Sequence, residues 1–116
     1  MISFQDRISG GLIGLLIGDA LGVPYEFHEP EDLPPRSELE FEPPDGFKRA
    51  HAGVKPGTWS DDGAQALCLL ASLLHCQKLE PQDLGSRLSV GTNMGIWRWT
   101  ITCSMSAFKA PTQFRI

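Results

Sequence analysis

The chain has 116 residues, 41% of them apolar and 21% charged, with a net charge of -4. That length allows one small domain with a modest core, and the absence of a Lys/Arg cluster removes the basic footprint that a nucleic-acid partner requires. Cys68, Cys76 and Cys103 form no C-x-x-C pair, so neither a disulfide framework nor a zinc ribbon is indicated.

A reducing cytoplasm is the simplest reading of that cysteine usage. The N-terminus lacks a basic region followed by an apolar run and a small-residue cleavage site. Gly11 to Ile17 is apolar but far shorter than the ~20 residues of a membrane span, so no membrane partner is expected.

The first predicted element is a helix over Ser3 to Leu21. Ser3 and Asp6 make a capping box ahead of Phe4, Ile8, Leu12, Leu15 and Leu16 at helical spacing. Gly10, Gly14 and Gly18 share one face, where each costs about 1 kcal/mol relative to alanine. Such a stripe predicts a tight helix–helix crossing there. Gly22 reads as a C-cap and Pro24 as a stop.

Gly22 to Val54 is long and irregular. Seven of the nine prolines lie between Pro24 and Pro56, among many acids. Such a segment is either a functional loop or a disordered one.

A second helix is predicted over Ser60 to Lys78. Ser60 or Asp61 can cap it, and acids in its first turn suit the helix dipole. Ala64, Leu67, Leu70, Ala71 and Leu74 form an apolar stripe, widened by Leu69 and Leu73. Glu80 to Ser89 predicts a further short helix with Pro81 in its first turn. Val90 to Ile116 has neither a sustained helical period nor a turn-bounded strand pattern. Cys68 and Cys76 read as small apolar packing residues. His28 and His51 fall in the loop and His75 in the last turns of the second helix; none reads as a metal ligand.

Two motifs carry chemistry. Ser60-Asp61-Asp62, at a helix start, either caps the helix or offers hard oxygens to Mg²⁺ or Ca²⁺. A cation is disfavoured at a helix N-terminus, so several carboxylates would be needed to offset the dipole. "GDALGVPYE", Gly18 to Glu26, ends the first helix; taken alone, Asp19 would bond nearby backbone and Glu26 would be a solvated loop acid.

Together, "GxxxGxxxGDALGVPYE", a Pro-rich acidic segment and "GTWSDDGAQAL" opening a helix resemble the ADP-ribosylglycohydrolase family over Phe4 to Gln77. The resemblance implies an all-α domain of roughly twice this length or more, hydrolysing the glycosidic bond between ADP-ribose and a protein or small acceptor. It implies two Mg²⁺ ions, with Ser60, Asp61 and Asp62 as one ligand set and an Asp-x-Asp-Ser/Thr motif as the other. It places Glu26 over the ADP-ribose site as a base or orienting group, with Gly22 beside the substrate. Cleavage at the anomeric carbon passes through an oxocarbenium-like state, and metal ions there can orient ribose hydroxyls and a water.

The chain departs from the family in two places. Gly63 stands where the family commonly has threonine, which would loosen the first helical turn. No Asp-x-Asp motif follows Asp62, and the last aspartate is Asp83. A reading-frame shift near Val90 fits this tail. In the offset frame Met94-Gly95 gives Gly and Trp99-Thr100 gives Asp whatever the codons, where the family pattern has them. A genuine divergent tail is the alternative.

The expected architecture is therefore all-α: residues 1–89 as the N-terminal part of an ADP-ribosylglycohydrolase-like fold and 90–116 as a divergent tail. With half a metal site, these 116 residues alone are expected to be inactive, and marginally stable or partner-dependent. A non-catalytic remnant and an unrelated helical interaction module remain alternatives. The expected partner is an ADP-ribosylated protein or an ADP-ribose-containing small molecule. The arginine, serine or other linkage is left open.

Overall fold

The computed structural model describes residues 1–93; of the tail expected from residue 90, residues 94–116, with Trp97, Trp99 and Cys103, lie outside the described residues. Three α-helices follow in order, α1 (Phe4–Gly22), α2 (Asp61–Cys76) and α3 (Pro81–Asn93), with 3-10 turns at Val23–Tyr25, Pro30–Asp32 and Arg36–Glu38. No strand occurs among the described residues, as an all-α chain requires.

The α1 start follows the sequence. Ser3 caps it, its hydroxyl accepting from the Asp6 amide while the Asp6 side chain accepts from the Ser3 amide. Hydrogen bonds from Ser3 hold the Asp6 carboxyl below its ordinary value. The α1 end differs. Gly22 is the last helical residue and Val23, not Gly22, is the C-cap, in a right-handed conformation. The chain therefore tightens into the Val23–Tyr25 turn, with Pro24 at its start supplying the fixed φ.

The glycine stripe also departs from expectation. A Cβ on Gly10, Gly14 or Gly18 would meet nothing within 4 Å. No described element crosses α1 there. The helix instead packs through Leu12, Leu16 and Ala20, which gather with Trp59, Ala64 and Leu67. Ile8, Ile13, Leu15 and Ile17 stay exposed. Apolar on nearly all sides, α1 has the pattern of a helix that a larger body covers. Phe4–Tyr25 is a continuous 22-residue helical stretch, long and apolar enough to cross a membrane by length and composition. The short Gly11–Ile17 run thus understates it.

The long segment after α1 is built back onto the first motif. The Tyr25 hydroxyl donates to the Glu40 carbonyl at 2.8 Å and accepts from the Glu40 amide at 3.1 Å. The Ala50 amide donates to the Pro24 carbonyl at 2.8 Å. Arg49 donates to the Val54 carbonyl at 3.0 Å and pairs with Glu42. The Phe47 ring lies 5.3 Å from Tyr25 and 4.7 Å from His28. Of the two readings open for this segment, it is a built loop.

A turn at Lys55–Thr58 leads into α2, with Pro56 at its second position and Gly57 at φ 76. That positive φ is one glycine adopts at little cost. α2 ends at Cys76, two residues short of the expected Lys78, because Gln77 turns left-handed at φ 56 and its amide closes onto the Leu73 carbonyl at 2.9 Å. α3 runs beyond Ser89 to Asn93. It is held by Arg87, which donates to Asp83 one turn earlier at 2.7 Å.

Candidate functional site

The start of α2 is where distant parts of the sequence meet. Ser60 is the N-cap, and its hydroxyl accepts from the Asp62 amide at 3.2 Å. The surprise is Asp19. Its carboxylate does not bond nearby backbone at the end of α1. It reaches across to α2 and accepts from the Ser60 amide at 2.8 Å, the Ser60 hydroxyl at 2.6 Å and the Gly63 amide at 2.8 Å. A helix N-terminus has orphan N–H groups and a partial positive charge. Here they are met by a carboxylate borrowed from another helix.

This arrangement also explains Gly63. A Cβ there would lie 2.8 Å from Asp19 Oδ2 and 3.0 Å from both Leu16 Cδ2 and Trp59 Cβ. The glycine does not loosen the first turn of α2; it opens the space in which Asp19 grips that turn.

The consequence concerns Asp61 and Asp62. Ser60 and Asp19 together do the capping, so neither Asp61 nor Asp62 is spent on it. Both are exposed, and among the described residues neither carboxylate has a hydrogen-bond or ion-pair partner. Ser60 is 7% exposed. Its hydroxyl proton goes to Asp19 and one lone pair to the Asp62 amide, leaving one lone pair. The donor set facing solvent is two hard carboxylates above a nearly buried hydroxyl. That chemistry suits a hard divalent cation, Mg²⁺ or Ca²⁺, which takes carboxylate oxygens and completes its shell with water or substrate oxygens.

Glu26 lies on the other side of the Val23–Tyr25 turn, where its carboxylate contacts His51 Nε2 at 2.7 Å. Gly22 ends α1 just before that turn. His28 bridges the same region, with Nδ1 at 2.9 Å from the Glu26 carbonyl and Nε2 at 2.9 Å from the Lys48 carbonyl. Nothing local in the sequence joins His51 to Glu26 across 25 residues of irregular chain. The one usable signal is that both flank the Pro-rich segment.

A second group of ligand-type side chains lies at the opposite end of α2, about 20 Å along the helix axis. His75, Cys76 and Asp83 bring ligand atoms within 4.8 Å of one another. Asp83 is already paired with Arg87, whose hydrogen bond holds its carboxyl below the ordinary value. Burial, then the Asp83 charge, pushes the Cys76 thiol up.

Comparison with known proteins adds an independent line. The ADP-ribosylglycohydrolase family model matches residues 1–112, past the quoted motifs and into the tail. ADP-ribosylarginine hydrolase Tri1 of Serratia proteamaculans is 36% identical over 75 residues, which cover 65% of this chain and 18% of that protein. A protein of Archaeoglobus fulgidus with no assigned function is 29% identical over 84 residues, 72% of this chain and 27% of that protein. The chain thus spans under a third of the relatives it matches. No solved structure matches it.

Proposed function

The chain belongs to the ADP-ribosylglycohydrolase family, and from that premise we propose that it carries the Ser60–Asp61–Asp62 half of a Mg²⁺-dependent site hydrolysing the bond between ADP-ribose and a modified side chain. The observation that carries this reading is the freedom of Asp61 and Asp62. A helix start whose cap hydrogen bonds come from Ser60 and Asp19 leaves Asp61 and Asp62 only their charge to offer the helix dipole, and their oxygens free for a ligand. Pairing with no described cation, the two carboxylates stand side by side, and their mutual repulsion is a cost that a bound cation would offset. The family match weighs against an unrelated interaction module.

A bound Mg²⁺ would supply electrophilic charge that orients ribose hydroxyls and a water. The protein's own part is to hold Asp61 and Asp62 through Asp19 and Ser60, and to present Glu26 as a base or orienting group. The likeness to a relative named an ADP-ribosylarginine hydrolase favours ADP-ribosylated arginine as substrate. A cytoplasmic setting is part of the proposal, resting on the cysteine usage alone.

A second reading has its own observation. Within these 116 residues no Asp-x-Asp follows Asp62, and one carboxylate cluster does not hold two ions. On that reading the chain by itself binds Mg²⁺ without turnover, as a non-catalytic remnant. The discriminating experiment is release of ADP-ribose from ADP-ribosylated arginine with Mg²⁺, in the parent protein and in Asp61→Ala. Release that disappears in the variant supports the hydrolase. Mg²⁺ binding without release leaves the remnant. Release unchanged in the variant removes the triplet from the mechanism.

A further inference from the structure

We propose that His51 is the positioning residue of Glu26, fixing the carboxylate that the Pro-rich loop presents to the ADP-ribose site. The proposal rests on the reading of Glu26 given above for its purpose, but not for its geometry.

The contact is short, 2.7 Å from His51 Nε2 to Glu26 Oε2, and partly withdrawn from water: the side chains are 18% and 34% exposed. A loop acid with no partner would sample several rotamers, each with its own carboxylate position. Accepting a hydrogen bond from a half-buried ring selects one of them.

The backbone on both sides is shaped for this contact. His51 sits at φ 51, and Phe27, the residue after Glu26, at φ 64. Left-handed conformations at non-glycine residues are strained and persist only where surrounding contacts impose them. Three such contacts are present. The Ala50 amide is tied to the Pro24 carbonyl at 2.8 Å, and the Val54 amide closes onto the His51 carbonyl at 2.8 Å. The Phe27 ring meets the His51 ring edge-on at 5.5 Å. His28 fixes the main chain of Glu26 through its carbonyl, so one histidine holds the backbone of Glu26 and the other its side chain. Two αL residues and two histidines brought to one glutamate, His28 at its carbonyl and His51 at its carboxylate, are more than loop closure needs, since Ala50–Pro24 and Tyr25–Glu40 already close the loop.

The test uses the full chain and has two arms. In the first, side-chain NMR couplings and carboxyl ¹³C shifts of Glu26 are compared in the parent, His51→Ala and His51→Gln, without ligand. One Glu26 rotamer in the parent, averaging in His51→Ala, and recovery in His51→Gln (whose amide nitrogen can occupy the place of Nε2) support the proposal. Equal averaging in parent and His51→Ala overturns it. In the second arm, ADP-ribose affinity is measured by calorimetry with Mg²⁺ present. His51→Ala and Glu26→Gln should each weaken binding about tenfold. The double variant should be no worse than either, and His51→Gln should recover most of the loss at an unchanged melting temperature. Additive losses overturn the proposal. If the parent does not bind ADP-ribose but the first arm succeeds, the functional reading of Glu26 falls while the positioning of its carboxylate by His51 stands.

Discussion

Alanine replacing glycine inside a helix ordinarily stabilises by about 1 kcal/mol, through reduced unfolded-state freedom and better helix propensity. At Gly63 the sign should reverse. The new Cβ would stand 2.8 Å from Asp19 Oδ2 and 3.0 Å from Leu16 Cδ2 and Trp59 Cβ. Two of those neighbours belong to the buried cluster, and the third is a carboxylate held by three hydrogen bonds. None is the free end of a flexible side chain. Overpacking of this kind costs about 1–3 kcal/mol, and a displaced Asp19 forfeits a further part of its cap. The net expectation for Gly63→Ala is destabilisation of about 1–2 kcal/mol. Gly14→Ala is the internal control: its Cβ meets nothing within 4 Å, so it should stabilise by about 0.5–1 kcal/mol. Urea unfolding followed by circular dichroism, with equal slopes across the series, measures both. Gly63→Ala as stable as Gly14→Ala would refute the claim that Asp19 occupies the space beside α2.

Other outcomes follow from the same contacts. Asp19→Ala should cost about 2–4 kcal/mol, since it strands two α2 amides and a buried hydroxyl, and Asp19→Asn, which keeps one acceptor oxygen, about half of that; the unfolding midpoints check the order. Asp83 has a lowered folded pKa because Arg87 donates to it, so its contribution is present above the unfolded value of 3.8 and is lost as pH falls through the lower folded value. The stability gap between parent and Asp83→Asn should therefore be constant from pH 7 to 5 and close below pH 3.8 in denaturation curves. The Cys76 thiol, pushed up first by burial, should react with iodoacetamide at pH 8.5 more slowly than an unperturbed thiol, as read by mass spectrometry.

Much of the fold was legible because it is local. The Ser3–Asp6 box, the 3.6-residue pattern of Ala64 to Leu74 and Pro81 at a helix start each depend on neighbours a few residues apart, and each element formed where its pattern lies. The misreadings have one physical origin, contacts across long stretches of chain. Asp19 appeared to belong to the end of α1 because its partners lie 41 and 44 residues away. Gly63 read as a weakness because nothing nearby in sequence signals a carboxylate in its Cβ position. His51 read as a loop histidine because its partner is 25 residues distant. The glycine stripe on α1 was the reverse case, a local pattern to which no described element responds. The triplet itself was readable, but whether it was spent on capping was not, since that depended on Asp19.

The central claim is that Asp61 and Asp62 are available to a cation because Ser60 and Asp19 complete the cap. Calorimetric titration of Mg²⁺ into the parent chain and into Asp61→Asn/Asp62→Asn tests it most directly. Saturable binding is expected in the parent and none in the double variant, with unfolding stability lowered only by the lost charge–dipole interaction, about 0.3–1 kcal/mol per carboxylate at low salt. Binding unchanged by the double substitution, or a loss of stability that high salt does not remove, would contradict it.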